Sequence, residues 1–108
     1  MNVKRPGYPV RGSSTGRPVM VLFDLLGQKW TLRIFWELRS GPLSFRGLRA
    51  ACDNASPTVL NARLKSLREL DFVELVQDGY RLSELGQQLA EQLVALDTWA
   101  NDWANSID

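Results

Sequence analysis

The sequence predicts a small, mainly helical domain that carries one short β-hairpin. Apolar residues recur at helical spacing along most of the chain. Three serines, Ser44, Ser56 and Ser83, stand where helix N-caps are expected. The pair Asp78–Gly79, between two short β-type runs, is the strongest hairpin signal. With 108 residues, 44% hydrophobic and 23% charged, the chain has the composition of one ordinary globular domain.

The residue types that the chain lacks limit its chemistry. It has no His and one Cys, which excludes a zinc site of the Cys/His type and a disulfide within one chain. The usual general base is missing, and the sequence shows no glycine-rich phosphate loop and no metal-ligand cluster. We therefore expect a protein that is not an enzyme and uses no cofactor or metal. No apolar run approaches the ~18 residues of a membrane span and no secretion signal is evident, so no membrane partner and a cytoplasmic location are expected.

Charge is segregated along the chain, although the net charge is only +1. Residues 1–17 carry four basic and no acidic side chains, whereas residues 82–108 carry five acidic and no basic ones. Residues 39–68 hold six basic side chains against Asp53 alone. This excess of basic residues has two interpretations that we weigh about equally. The middle stretch could attract a polyanion, or its charges could belong to ordinary solvated helix faces.

Residues 1–17 are rich in Pro, Gly and Ser, which precludes a packed helix, so a flexible basic arm is expected. The four basic side chains of this arm could contact a nucleic-acid backbone, or the arm could be only a soluble leader. The second interpretation is favoured. A domain over 18–108 follows. Its first helix is expected at about 18–27, because Pro18 suits a first turn and Gly27 stops the apolar stripe.

The second helix is expected from about Lys29 to Ser40. Its apolar residues surround most of the circumference, which predicts the central core helix, with Trp30 and Trp36 in the core. After a strand residue at Leu43, a short helix is expected from Ser44 to about Cys52. Phe45, Leu48 and Cys52 form its inward face, where a lone Cys is more often a small hydrophobe than a redox sensor.

A third long helix is expected at about 56–71, since Ser56 followed by Pro57 is typical of a helix start. Its buried stripe is Leu60, Leu64 and Leu67. Short strands then flank the Asp78–Gly79 turn. Ser83 caps a last helix at about 83–105, whose apolar stripe needs a partner that so small a domain does not offer, and which carries two tryptophans. This stripe predicts a dimer interface, although Trp99 and Trp103 could instead pack within the chain.

This order of elements is that of a winged helix-turn-helix. The helix at 56–71 would place its outer polar residues in the DNA major groove, and we name it the recognition helix. The candidates for base contacts are Thr58, Asn61 and Ala62. The candidates for phosphate contacts are Lys29, Arg46, Arg49, Ser56, Lys65, Arg68 and Arg81. Arg63 is open between a phosphate and an acidic neighbour such as Glu69 or Glu37.

Several sequence blocks resemble the HxlR-type regulators, relatives of the MarR winged helices. They are GQKWT at 27–31, GPLSF at 41–45, SPTVL at 56–60 and YRLSELG at 80–86, with Leu48-Arg49, Arg63-Leu64 and Leu67 between them. The resemblance covers roughly 18–104. It implies a prokaryotic transcription regulator that forms a homodimer through its first and last helices. The interface candidates are Val19, Leu22, Phe23, Leu89, Leu93, Leu96, Trp99, Ala100 and Trp103.

The sequence departs from the family pattern in its wing, the hairpin beyond the recognition helix, which is short and has the acidic Asp78 at its tip. Arg17 stands where thiol-sensing members carry a Cys, and Gly47 lies inside the short helix. The leading hypothesis is a homodimer that binds double-stranded DNA at a pseudo-palindromic operator. The alternative is a winged-helix protein-interaction module that has lost specific DNA binding. A small-molecule effector is possible, but no residue set identifies one.

Overall fold

The computed structural model describes residues 3–107 as five helices and one antiparallel hairpin, the mainly helical fold that the sequence predicts. Met1 and Asn2 of the arm, and Asp108, lie outside the described residues. The elements are α1 (Pro18–Leu26), α2 (Thr31–Leu38), α3 (Phe45–Ala51), α4 (Pro57–Glu69), β1 (Val73–Val76), β2 (Gly79–Leu82) and α5 (Glu84–Ser106). The recognition helix is α4. No helix within 3–107 is both long and apolar enough to cross a membrane.

All three predicted serine caps are confirmed. The hydroxyl oxygens of Ser44 and Ser83 accept hydrogen bonds from backbone N–H groups three residues later, at 2.9 Å and 3.0 Å, and that of Ser56 does so at 3.5 Å. Each bond satisfies one of the N–H groups that a helix start leaves without a partner. The caps therefore fix where α3, α4 and α5 begin.

The core lies where α2, α3 and α4 meet. Leu38 of α2, Leu48 of α3 and Leu60 of α4 are fully buried, and Phe35 packs edge-on against Phe72 with ring centroids 5.6 Å apart. Cys52 is also fully buried in this cluster, beside the other inward residues of α3. The α3 and α4 stripes predicted from the sequence are thus the ones that are buried.

The prediction for α2 is wrong in two respects. The helix begins at Thr31 rather than about Lys29, because Trp30 takes a left-handed conformation with φ 73°. It is also not buried on most sides: Leu32 is 48% exposed and Trp36 is half-buried, with the Arg39 guanidinium 3.9 Å from its ring centroid. An open groove between α2 and α5 runs along this side, because the small domain offers no further element to fill it.

The hairpin is part of a slightly larger sheet. Its strands pair from Val73 with Leu82 to Val76 with Gly79, and Leu43 adds a bridge to Tyr80 on the other edge of β2. The N–H and C=O groups of Leu43 and Tyr80 exchange two hydrogen bonds, of 3.0 Å and 2.9 Å. A side chain at position 79 would collide with the Leu43 carbonyl, so Gly79 permits this contact.

The N-terminal arm differs from the flexible arm that the sequence predicts. It contains no helix, as expected, but residues 3–17 form turns that pack on the domain. Val3 and Val10 are buried, and the N–H of Gly7 donates to the Gly16 carbonyl at 2.8 Å. The Arg5 guanidinium donates to the carbonyl of Glu69, the last residue of α4, at 2.9 Å. Turns and the arginine contact provide the backbone pairing that a breaker-rich segment cannot obtain from a helix.

The distal part of α5 has little cover from the rest of the chain. From Val94 to Ile107 every residue is exposed except Ala100, which is half-buried. Trp99 and Trp103 do not pack on the core but stack on each other, with ring centroids 6.1 Å apart and rings nearly parallel. The helix therefore leaves an apolar face open to solvent.

Burial makes Cys52 an unreactive thiol in the native state. Desolvation raises the pKa of Cys52 above its ordinary value of 9.0, and the Arg33 charge only partly opposes this. We expect a thiol-reactive dye to label Cys52 of the native protein only at the rate at which the surrounding structure opens. In denaturant, labelling should be fast. A dye that labels the native protein as fast as the unfolded chain would contradict this.

The same burial has a consequence for stability at alkaline pH. The folded state holds the Cys52 thiol protonated more strongly than the unfolded chain does, because its pKa is raised by burial. The contribution of this protonation to the free energy of unfolding is complete below about pH 9 and is lost as the pH rises through the raised pKa. The unfolding free energy of the wild type should thus fall more between pH 8 and pH 10.5 than that of Cys52→Ala. Urea unfolding at pH 8 and pH 10.5 measures the fall in unfolding free energy for each protein. Subtracting the fall of Cys52→Ala from that of the wild type cancels the titration of the groups that both proteins share.

Candidate nucleic-acid interface

The outer face of α4 carries the polar residues predicted to contact bases. Thr58 and Asn61 are exposed, Ala62 is half-buried, and they lie opposite the buried leucines of the same helix. Lys65 continues this face one turn further on and is exposed. A helix start that is capped and free of acidic residues in its first turn leaves a positive dipole end beside this face.

Two arginines hold the turn between α3 and α4. Arg49 donates to the Ala55 carbonyl at 2.8 Å, and Arg33 donates to the Ala51 carbonyl at 2.7 Å. Between these carbonyls, Asp53 and Asn54 take left-handed conformations, with φ 55° and 57°. These bonds set the angle at which α4 leaves α3 and so present the outer face of α4.

Arg33 is a functional residue that sequence reasoning missed, although its i,i+4 pair with Glu37 is visible in the sequence. Its Nε lies 2.8 Å from the Glu37 carboxylate and its Nη1 lies 3.7 Å from that of Asp53. The hydrogen bond to Glu37 is the largest of the causes that raise the pKa of Arg33, a side chain that is in any case charged at neutral pH. These contacts commit the Arg33 guanidinium to the turn.

Arg63 binds neither of the acidic neighbours considered from the sequence. Its Nε donates to the backbone carbonyl of Lys29 at 2.9 Å, because Arg63 lies on the flank of α4 that faces the α1–α2 turn. The contact brings Lys29 beside the recognition helix. The Lys29 side chain is exposed, with its ammonium 6.0 Å from the Trp30 ring centroid.

The remaining phosphate candidates fall into two groups. Arg46, Lys65 and Arg68 are exposed and form no ion pair or side-chain hydrogen bond within residues 3–107. Arg49 is half-buried and committed to the turn, while Arg81 lies 2.8 Å from Glu74 in an exposed ion pair. Ser56 is exposed, with its hydroxyl in the cap. Among these remaining candidates, the free cations therefore lie on α3 and α4 and not on the wing.

The interface candidates on α1 and α5 are partly or fully open to solvent. Val19 and Phe23 are 46% and 58% exposed, and the α5 residues Leu96, Trp99 and Trp103 are 54–60% exposed. The half-buried candidates are Leu22, Leu89, Leu93 and Ala100. Pairing of these faces between two copies stays a prediction.

The described residues contain no group of three or more His, Cys, Asp or Glu side chains placed to hold a metal ion. The outer face of α4 has hydrogen-bonding side chains at its centre and free cations around them. This arrangement suits a large anionic partner rather than a metal ion.

Comparison with known proteins agrees with this geometry. The crystal structure of quinone-bound YodB from B. subtilis superposes with a TM-score of 0.73 at 30% identity, covering 78% of this chain and 96% of that chain. A possible HxlR family transcriptional factor from Thermoplasma volcanium superposes with a TM-score of 0.67 at 28% identity, over 78% of this chain and 82% of that one.

Relatives found by sequence are also named as transcriptional regulators. An uncharacterized HTH-type transcriptional regulator of Mycobacterium tuberculosis is 31% identical over 110 aligned residues, which cover 95% of this chain. This chain spans 66% of that relative's length. The model of the HxlR-like helix-turn-helix family matches residues 25–108. The chain therefore belongs to the HxlR-like helix-turn-helix family, and it has the winged-helix fold of transcriptional regulators.

Proposed function

We propose that the chain is a sequence-specific DNA-binding transcriptional regulator that acts as a homodimer in the prokaryotic cytoplasm. One observation carries the proposal. The outer face of α4 presents Asn61, Lys65 and Arg68 to solvent without a side-chain partner within residues 3–107, and Glu69, at the far end of the helix, is the only acid of α4. Such a face fits the major groove, which an α-helix can enter.

The residues of this face have different roles in the proposed complex. Asn61 pairs with an adenine edge through two hydrogen bonds, and Thr58 contacts a thymine methyl group. Lys65, Arg68, Arg46 and Lys29 bind phosphates, which fixes the orientation of the helix but carries no sequence information. Ser56 and Arg49 position α4 through the cap and the turn.

The proposed homodimer pairs the open faces of α1 and α5. Burial of Phe23, Leu96 and the stacked Trp99–Trp103 pair removes large apolar groups from water, which is the main favourable term in association. Two copies of α4 about one DNA turn (~34 Å) apart would read a pseudo-palindromic operator.

The test is fluorescence-anisotropy binding to DNA from upstream of the gene and to scrambled DNA, between 50 and 300 mM salt. The variant Asn61→Ala/Lys65→Ala/Arg68→Ala should bind the upstream DNA at least about a hundredfold more weakly and with a shallower salt slope. The control variant Gln88→Glu/Asn101→Glu lowers the net charge by the same two units at exposed positions of α5, and its binding should stay near that of wild type.

The alternative function, a protein-interaction module, is favoured by the wing. Arg81 is neutralised by Glu74, and the acidic Asp78 stands at the hairpin turn, so the wing carries no free cation within residues 73–82. Equal and weak binding of the upstream and scrambled DNA, unchanged in the triple variant, would reject DNA recognition and support this alternative.

A further inference from the structure

The N-terminal arm lies outside the segment that the family model matches, which begins at residue 25. Its shape is nonetheless fixed by contacts within the chain. Ser13 is buried and its hydroxyl accepts from the N–H of Arg17 at 2.9 Å, while Arg5 is bound to the end of α4. The backbone that carries the cations of the arm is therefore held on the domain surface.

Two of these cations flank the α1–α2 turn. Lys4 lines a hollow of about 340 Å³ together with Gln28 and Arg63, and Arg11 lines a second hollow of about 380 Å³ together with Gly27 and Gln28. Gln28 borders both hollows and directly precedes Lys29, whose carbonyl is bound to α4 through Arg63. Lys4 and Arg11 thus extend the row of cations from the recognition helix across this turn.

Both side chains are available for binding. Lys4 and Arg11 are exposed and form no ion pair or side-chain hydrogen bond among the described residues. Asp24 borders both hollows, and Glu69 and Asp71 border a third hollow beside Lys4, but none of these carboxylates lies within 4.0 Å of either cation. The acids lower the local potential without neutralising either group.

We propose that the arm is a second phosphate-binding element, in which Lys4 and Arg11 bind the backbone of the duplex that α4 reads. This inference rests on the proposed function and extends its footprint beyond the helix-turn-helix. A polyanion that lies along α4 and Lys29 meets these two cations next, and the packing of the arm on the domain lowers the backbone entropy lost when they bind. Phosphate contacts of this kind add affinity but no sequence preference.

The experiment measures the salt dependence of DNA binding by the full chain and by Lys4→Gln/Arg11→Gln, which removes both charges and keeps polar side chains. Each lost phosphate contact reduces the slope of log K against log salt by about 0.9, so the variant's slope should be shallower by about 1.8 per bound protomer. Affinity at 100 mM salt should fall at least about tenfold, while the ratio between upstream and scrambled DNA stays unchanged. Gln88→Glu/Asn101→Glu is again the matched charge control.

The outcomes separate this inference from the function on which it rests. Wild-type chain that shows no preference for upstream DNA contradicts the proposed function itself. If the wild type binds DNA with a steep salt dependence and the arm variant keeps the same slope, only the role of the arm is overturned. A variant with an unchanged slope but weaker self-association, seen by analytical ultracentrifugation, would place the arm cations against the acidic α5 of a second copy and so overturn the proposal.

Discussion

Replacing Gly86 by alanine should cost about 3 kcal/mol or more of folding free energy, out of the roughly 5–15 kcal/mol of a domain of this size. Gly86 lies in the first turn of α5, and a Cβ there would collide with the backbone carbonyl of Phe72. That carbonyl accepts the N–H of Ser83 at 2.9 Å, so moving it would break the bond that joins the wing to the start of α5. Urea unfolding of Gly86→Ala, followed by circular dichroism, measures the loss.

Gly47→Ala is the matched control for this variant. Gly47 is also a helical glycine, but outside its own helix a Cβ at this position meets only the side chains of Ser44, at 3.2 Å, and Leu43, at 3.9 Å. The helix propensity gained, about 1 kcal/mol, offsets that contact, so the stability of Gly47→Ala should stay within about 1 kcal/mol of wild type. Equal losses in the two alanine variants would show that the Phe72 contact is not what makes Gly86 necessary.

The second large effect is expected for Phe35→Ala. Phe35 is fully buried in α2 and packs edge-on against Phe72, so the variant loses burial of the ring, leaves a cavity and removes the aromatic pair. The expected cost is about 3–5 kcal/mol, a large fraction of the roughly 5–15 kcal/mol that stabilises a domain of this size. Thermal unfolding measures it.

Phe35→Leu tests the origin of that cost. Leucine keeps most of the buried volume and loses the ring contact with Phe72, so we expect a loss of about 1–2 kcal/mol. A leucine variant as unstable as the alanine variant would assign the effect to the ring pair rather than to the cavity.

The parts of the fold that could be predicted are those set by local chemistry. The serine caps, the Asp78–Gly79 turn and the buried stripe of α4 each depend on residues within a few positions of one another. The outer face of α4 follows from its buried stripe by helix geometry, so Thr58 and Asn61 could be placed on the surface from the sequence alone.

The features that the sequence did not reveal depend on contacts between distant segments. The hydrogen bond from Arg63 to Lys29 spans 34 positions and that from Arg5 to Glu69 spans 64, and neither acceptor is a side chain that a charge pattern could indicate. The left-handed Trp30 is equally hidden, since an aromatic residue seldom adopts positive φ without tertiary contacts. The proposed base contacts and dimer pairing involve partners outside the chain and stay predictions.

The bridge between Leu43 and Tyr80 gives the wing a mechanical link to the helix-turn-helix. Leu43 directly precedes the N-cap of α3, and its two hydrogen bonds to Tyr80 join that position to β2. Local opening of the hairpin must therefore either break this bridge or carry the start of α3 with it. We therefore expect the wing and the start of α3 to open together as long as this bridge holds, so that a displacement of the hairpin is transmitted to the helix that precedes the recognition helix.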